Sequence, residues 1–352
     1  MGYSDFKRFD TLDCAFRNSK GKVKPAPEFA RTVRVADTHC HLNMLENPGY
    51  ALARAAAHGV AFLCCITDPA EKPYAQGEDA VRLSARQSYS ALEEWLAQAR
   101  AQLDAWGMKN ATLPRVRFAC GVHPHNAQYW VQAQQELYAL LDNPKTCCLG
   151  EIGLDYHYDF SPRDAQCEVF AAQLRIANEL NIPVSLHLRE AHGEALEILR
   201  CEGVPQAGCI LHCFNLARDD LAPFLDLGCY VAFGGPLTFR KSWYTRAASV
   251  EVPVERLLTE TDAPYMAPEP LRGTVCLPDF TVFTLRTLLD CFGYAGAERA
   301  RELVMPRQVD IDAGVAAPPE RERDYEALQA GRDEESFCEQ LYDNAIRLLD
   351  SR

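Results

Sequence analysis

The sequence predicts a TIM-type (β/α)₈ barrel, and three observations lead to this fold class. Short apolar runs alternate with longer amphipathic stretches, which is typical of βα repeats around a parallel sheet. Eight such apolar runs can be counted, as an eight-stranded barrel requires. The competing doubly wound open sheet is disfavoured because no G-x-G-x-x-G turn follows the first run. A chain of 352 residues with 48% hydrophobic content can bury the core of one such domain.

The predicted strands and helices follow one another along the chain. The strands are expected over residues 34–39, 61–67, 117–122, 146–152, 183–188, 209–214, 229–233 and 256–260. Helical patterns fill most of the gaps, at residues 48–58, 79–106, 128–141, 162–180, 193–201 and 218–227. A last amphipathic helix over residues 334–349 is expected to pack back on the barrel.

The chain is expected to form a single barrel domain over residues 33–352. Residues 1–32 are polar and mildly basic, and they are predicted to be an extension without a core of its own. Two stretches within the barrel domain are not explained by the βα repeat. The connection over 68–114 is longer than a βα unit needs, and residues 305–335 mix proline, alanine and dense charge, which predicts a peripheral C-terminal insertion.

Composition restricts the possible partners and location. Lys and Arg total 36 against 49 for Asp and Glu, so the net charge of −13 repels polyanions at long range. A nucleic-acid substrate therefore requires divalent ions and local arginines at the site. No stretch reaches the roughly 18 apolar residues of a membrane span, and the N-terminus lacks the layout of a signal peptide. We expect a cytoplasmic protein with reduced, buried cysteines, no membrane association and no obligatory protein partner.

Ligand-type side chains stand at the ends of the predicted strands, where parallel barrels carry their active sites. The first run closes with His39 and His41, which lie one residue apart and therefore share a face of an extended strand. Further histidines and carboxylates follow later strands: His123, Glu151, His187, His212 and Asp262. Imidazole and carboxylate groups are ligands for zinc, manganese and magnesium.

This set suits a centre with two divalent metal ions, Mg²⁺, Mn²⁺ or Zn²⁺. We expect one ion on His39, His41 and Asp262. The other is expected on His187 and His212, with Glu151 bridging the two. A water between two such ions loses a proton near neutral pH, and the resulting metal-bound hydroxide is the expected nucleophile. Glu151 and Asp262 are thus the candidate catalytic carboxylates, because Asp262 can also accept that proton or pass it to the leaving group.

Structural alternatives remain open for several of these residues. Taken singly, His187 or His212 would more often be a hydrogen-bonded core histidine, whereas their positions at successive strand ends favour metal ligands. His123 either contacts the substrate or shapes a turn with His125. His157 is predicted to be a residue of the rim. Strand alternation predicts that Cys213 points away from His212, which argues against a thiolate zinc site.

Several motifs together resemble the TatD-type metal-dependent deoxyribonucleases, a family of the amidohydrolase-like barrel group. They are DTHCHL at 37–42, GVHPH at 121–125, GEIGLDY at 150–156, IPVSLHLR at 182–189, LHCF at 211–214 and LTETDAPY at 258–265. The resemblance implies a TIM-type barrel, two divalent ions and hydrolysis of phosphodiesters, typically of DNA. It also implies the ligand roles given above for the six histidines and carboxylates.

One segment departs from the family pattern. After the last strand the family usually has Arg-Gly-Lys-Arg-Asn, whereas this chain has RGTVCLP at 272–278. Two cations on the substrate side are therefore missing, and charge-assisted bonds to phosphate are about twice as strong as neutral ones. Arg189, Arg240 and Arg272 are the candidates for phosphate contacts, together with His123.

The function expected from the sequence is a two-metal hydrolase of phosphodiesters, most plausibly a deoxyribonuclease acting on DNA. The alternative keeps the centre but hydrolyses an amide, lactone or phosphotriester of a small molecule, as the acidic body and the altered 272–278 segment suggest. A non-catalytic protein that uses residues 305–335 for interaction is a third hypothesis, and the intact ligand set argues against it.

Overall fold

The computed structural model describes residues 14–29, 33–71, 82–306, 311, 324–329 and 331–351. Ten strands are found in these ranges: β1 Phe16–Arg17, β2 Val23–Lys24, β3 Val35–Cys40, β4 Val60–Thr67, β5 Arg115–Cys120, β6 Thr146–Asp155, β7 Val184–Arg189, β8 Cys209–Leu211, β9 Tyr230–Phe233 and β10 Leu257–Thr259. The first two form a small antiparallel hairpin, and the other eight form one sheet.

Helices connect the strands of this sheet. Their bounds are α1 Pro48–Ala57, α2 Ala85–Ala105, α3 Trp130–Leu141, α4 Arg163–Leu180, α5 His192–Glu202, α6 Arg218–Asp226, α7 Trp243–Ser249, α8 Thr281–Cys291, α9 Ala297–Val304, α10 Tyr325–Gln329 and α11 Glu334–Leu349. Short 3₁₀ turns include Leu42–Met44, Pro124–Tyr129 and Gly235–Thr238. Local signals set several ends: Ser84 and Gln87 form a capping box at the start of α2, and left-handed Asn181 ends α4.

The eight strands run parallel in sequential order from β3 to β10, and the sheet curls into a nearly closed barrel. A parallel bridge between Cys40 and Ala263 joins the two edges just beyond β3 and β10. The predicted fold class is therefore confirmed. β8 is shorter than predicted because it ends at Leu211, and Cys213 beyond it has a left-handed φ of 47°.

Successive side chains of each strand point to opposite faces of the sheet, and this divides the core into two layers. Phe62, Cys64 and Ile66 of β4 belong to a small cluster that also includes side chains of α11. Leu63 and Cys65, on the opposite face of the same strand, join the larger cluster formed with the surrounding helices. A fully buried strand of this kind is what a parallel barrel requires.

The described part of the N-terminal extension packs on the barrel. Phe16 of β1 is buried, and its ring contacts those of His58, Phe280 and Phe283, with centroids 4.3, 5.8 and 4.9 Å away. The hairpin thus uses the core of the barrel rather than one of its own. Much of the predicted insertion at 305–335 lies outside the described residues, as do residues 72–81 of the long connection.

The fifteen cysteines all lie in the described ranges, where none forms a disulfide, and most of them are buried. Within the same ranges, no helix has both the length and the apolar character needed to cross a bilayer.

Candidate metal centre

Closure of the barrel brings the first and last predicted ligands together. The backbone N–H of Asp262 donates to the carbonyl of His39 at 2.9 Å, and that of His41 donates to Ala263 at 2.7 Å. Asp262 has a left-handed φ of 59°, a conformation that is uncommon for a residue other than glycine and that clusters at functional sites. Its Oδ1 lies 3.4 Å from Nε2 of His41 and 3.9 Å from Nε2 of His39.

Glu151 of β6 occupies the middle of the cluster and presents a different oxygen to each side. Its Oε2 lies 3.4 Å from Nε2 of His39. Its Oε1 lies 2.6 Å from Nδ1 of His187 and 3.5 Å from Nε2 of His212. The carboxylate is 5% exposed, so water has little access to it.

The donor atoms fall into two sets that each fit one cation. Those of His39, His41 and Asp262 lie within 4.8 Å of one another, and so do those of Glu151, His187 and His212. Mixed nitrogen and oxygen donors suit zinc or manganese, whereas magnesium prefers oxygen.

The surroundings of His39 indicate that a cation fits this cluster. The residue is 1% exposed, and neither of its ring nitrogens has a hydrogen-bond partner among the described residues. A buried polar group without a partner costs about 1–3 kcal/mol. A cation on Nε2 would give this nitrogen a partner. Burial also lowers the pKa of His39, which keeps the ring in the neutral form that binds metals.

The charge of the cluster favours cations. Burial opposes ionisation of Glu151, but the surrounding rings of His39, His212 and His187 outweigh it and hold its pKa well below the usual range. Burial likewise opposes ionisation of Asp262, whose pKa is nevertheless lowered by its hydrogen bond with His41. Both carboxylates are therefore ionised at neutral pH, and they attract positive charge into a buried pocket.

Nearby carboxylates raise the pKa values of two histidines. Burial disfavours a charged ring, yet Glu151 and Asp155 raise the pKa of His187 to about 9. Glu260 and Glu151 similarly raise the pKa of His212 to about 10. Without metal ions, protons on these rings supply the positive charge that the carboxylates require.

Asp155 and Glu260 lie beside these two rings, and neither was a predicted site residue. Oδ2 of Asp155 lies 3.0 Å from Nε2 of His187 and 2.9 Å from Nε2 of His125, and it orients both rings by hydrogen bonds. Oε1 of Glu260 lies 2.9 Å from Nδ1 of His212 and accepts the backbone N–H of Cys213 at 2.7 Å. Each carboxylate therefore faces the ring nitrogen opposite the one that faces Glu151. Both stand at strand ends beside predicted ligands, but the sequence does not show which ring nitrogen each of them approaches.

His123 shapes a turn, one of the two roles that the sequence left open, and its second ring nitrogen faces the cluster. Its Nδ1 accepts the N–H of His125 at 3.2 Å and so shapes the turn after β5. Its Nε2 lies 3.8 Å from Oε1 of Glu151, inside the cluster. Burial lowers the pKa of His123 well below the usual value, so the ring is neutral and carries its proton on Nε2.

The candidate arginines lie outside the cluster. Arg189 is half-buried at the end of β7, with its guanidinium 4.7 Å from the centre of the Tyr158 ring. Arg272 is exposed and stacks on Phe239 at 4.1 Å, and Arg240 is exposed. Among the described residues, neither Arg240 nor Arg272 forms an ion pair with the predicted ligands.

The predicted orientation of Cys213 is wrong. Because Cys213 lies beyond the end of β8 and is left-handed, strand alternation does not apply to it. Its Sγ instead lies within 4.8 Å of donor atoms of His212 and Asp262. Burial raises the pKa of this thiol well above the usual value, so Cys213 stays protonated beside the cluster.

An eight-stranded parallel barrel with histidines and carboxylates gathered at its strand ends is typical of metal-dependent enzymes built on a TIM-type barrel. Residues 36–306 match the family model described as TatD related DNase, and the chain belongs to this family. The resemblance found in the sequence is thereby confirmed.

Individual relatives agree with this assignment. The uncharacterized metal-dependent hydrolase YcfH of Escherichia coli K12 is 36% identical over 248 residues, which cover 68% of this chain and 81% of that protein. The 3'-5' ssDNA/RNA exonuclease TatD of Klebsiella pneumoniae is 40% identical over 156 residues, or 43% of this chain and 59% of that protein. The crystal structure of YJJV, a TatD homolog from Escherichia coli K12, covers 91% of this chain with a TM-score of 0.58 at 21% identity, which supports the fold.

Proposed function

We propose that the protein hydrolyses phosphodiester bonds of nucleic acids with two divalent cations held in the described cluster. The observation that carries this proposal is the position of Glu151, which directs one carboxylate oxygen to each set of donor atoms. The name of the Klebsiella pneumoniae relative, a 3'-5' ssDNA/RNA exonuclease, supports the choice of substrate.

The residues divide into ligands and groups that handle the substrate. His39, His41 and Asp262 would hold the first ion and His187 and His212 the second, with Glu151 as a ligand available to both. Bound divalent cations would polarise the phosphoryl oxygens and acidify a water near neutral pH. Asp262 is ionised and partly exposed, so it can accept a proton from the attacking water. His123 directs its Nε2–H toward the same space and can donate to a phosphoryl oxygen.

The direct test measures cleavage of single-stranded DNA, double-stranded DNA and RNA by the full chain, first freed of metal with a chelator. We expect activity to return with Mg²⁺, Mn²⁺ or Zn²⁺, and mass spectrometry of the active protein to find two ions per chain. The Glu151→Gln variant should lose at least about 100-fold in kcat, because it removes a ligand common to both ions. The matched control is Glu93→Gln, which changes an exposed carboxylate of α2.

Salt dependence separates this proposal from hydrolysis of a small molecule. Binding of a polyanion weakens steeply as ionic strength rises, whereas binding of a small neutral ester does not. We therefore expect KM to increase strongly between low and physiological salt. Full activity of the Glu151→Gln protein, or failure to cleave any nucleic acid with all three metals, would contradict the proposal.

A further inference from the structure

Two aromatic rings project into solvent directly after β6, beside the proposed metal centre. Tyr158 is 48% exposed and Phe160 is 60% exposed. Their rings are stacked, with centroids 5.3 Å apart and planes within 13° of parallel. Large aromatic side chains contribute most when buried, so a stacked pair left at the surface offers a flat apolar face to a ligand.

His125 connects this pair to the ligands. Its ring meets Tyr158 and Phe160 edge-on, with centroid distances of 5.6 and 4.8 Å. The same ring shares the Asp155 carboxylate with His187, a proposed metal ligand. The stacked rings therefore lie one side chain beyond the centre, where the next unit of a polymeric substrate would be placed.

A groove extends from Phe160 along the surface. It has a volume of about 620 Å³, and its lining includes the rings of Tyr129, Phe160 and His125, the side-chain amides of Asn126, Gln128 and Gln132, and the carboxyl group of Glu71. Amides donate and accept hydrogen bonds, as the edges of unpaired bases require.

A positively charged side chain lies beside the rings. The Arg189 guanidinium lies 4.7 Å from the centre of the Tyr158 ring, two residues beyond His187 on β7. Within the described part of the chain, Arg189 has no ion-pair partner, in contrast to nearby Arg163, which pairs with Asp159. Proteins that bind single strands combine a cation for the backbone with aromatic rings for the bases.

We propose that Tyr158 and Phe160 form a stacking platform for unpaired bases of a single-stranded nucleic acid, next to the bond that is cleaved. Arg189 binds a phosphate of the same strand. This inference rests on the proposed function and adds to it the residues that hold the bases of the strand; a base in a duplex is already stacked and paired, so only an unpaired base can use the platform. Since every base has a flat face, the platform accepts any sequence.

The test compares Tyr158→Ala and Phe160→Ala with two controls. Tyr158→Phe keeps the ring, and Tyr138→Ala removes a tyrosine of α3 that is 49% exposed. Binding of a fluorescent single-stranded oligonucleotide to the chelator-treated full chain is measured by anisotropy. KM is measured after metal is restored. Each alanine variant should weaken binding and raise KM about tenfold, with little change in kcat. Both controls should behave like the natural protein.

An abasic oligonucleotide of the same length provides the decisive comparison, because it keeps the phosphates and lacks the rings that stack. We expect the alanine variants to bind it as well as the natural protein does. Equal losses on the abasic and natural strands, or no loss on either, would overturn the platform. If no nucleic acid is cleaved with any metal, the proposed function fails, and the anisotropy measurement still decides whether the platform binds bases.

Discussion

Oδ2 of Asp155 lies 3.0 Å from Nε2 of His187, on the side of the ring that faces away from Glu151. Asp155 is itself fixed, because it is fully buried and its Oδ1 accepts the backbone N–H groups of His157 and Tyr158, each at 3.0 Å. The carboxylate therefore sets the tilt of the His187 ring and keeps a proton on Nε2. A cation that displaces the proton on Nδ1 would then bind at that nitrogen, which is how buried carboxylates usually support ligand histidines.

The first prediction concerns this pair. Replacing Asp155 by asparagine removes the charge that orients His187, so the affinity for one bound metal ion should fall about 10- to 100-fold. Competition with a coloured chelator measures the affinity, and circular dichroism verifies that the variant is folded. Asp159→Asn is the control, because Asp159 is exposed and, in the described part of the chain, its ion pair is with Arg163. Unchanged metal affinity in Asp155→Asn would show that the carboxylate does not support the ligand.

The second prediction concerns the contact between β6 and β7. Gly153 has a φ of 143°, and a Cβ at this position would lie 2.1 Å from the carbonyl oxygen of His187. Gly153→Ala must therefore push the two strands apart at the proposed ligand, and we expect it to lower the free energy of unfolding by about 3 kcal/mol. Urea denaturation measures this loss, and metal content should fall with it.

Gly193→Ala is the matched control for Gly153. It lies in α5, and a Cβ there would meet no atom within 4 Å. Alanine is the better helix former, so this change should leave stability equal or raise it by less than about 1 kcal/mol. A Gly153→Ala protein as stable as the Gly193→Ala protein would refute the steric argument.

The third prediction concerns metal binding and thermal stability. A cation that binds only the folded chain adds about 2.7 kcal/mol at 100 times its dissociation constant, so Tm should rise with metal concentration. His39→Ala should reduce this rise, because His39 is a proposed ligand with no other hydrogen-bond partner among the described residues. His157→Ala should retain the full rise, because His157 lies at the rim and contacts Glu190 instead. Equal metal-dependent shifts in both variants would argue against the ligand assignment.

The six predicted ligands could be found in the sequence because parallel strands align their carboxyl ends. His187 and Asp262, for example, are far apart in the chain, yet each follows an apolar run and so reaches the same end of the barrel. The roles of Asp155 and Glu260 were not predictable in this way. They depend on which nitrogen of a ring faces inward, and that is a matter of side-chain geometry rather than of pattern.

Long-range packing and local strain explain the other differences. Phe16 looks like part of a polar extension, but it enters the core by contacting Phe280 and Phe283, which no local pattern reveals. Cys213 breaks the alternation of β8 because the backbone turns left-handed at that residue. Sequence periodicity predicts regular elements, and it fails where the chain leaves the strand to build the site.

The last prediction concerns a buried ion pair that fixes the N-terminal hairpin to the barrel. Nη2 of Arg54 lies 2.7 Å from Oδ2 of Asp279, and Nη1 of the same arginine donates to the carbonyl of Ala15 at 3.3 Å. Asp279 is fully buried, and His58 approaches the same oxygen at 3.0 Å. Asp279→Ala leaves the guanidinium without its carboxylate, so the free energy of unfolding should fall by about 3–5 kcal/mol.

The pH dependence of this loss identifies its electrostatic origin. Burial opposes ionisation of Asp279, but Arg54 outweighs it and holds its pKa below the ordinary value of 3.8. Because the pKa is lower in the folded than in the unfolded chain, the contribution of the ion pair is complete above about pH 4 and disappears as pH falls through the folded pKa. Urea denaturation should therefore show a smaller difference between the natural protein and Asp279→Asn at pH 3.5 than at pH 5. A difference that stays the same at pH 3.5 would mean that packing, and not charge, makes Asp279 stabilising.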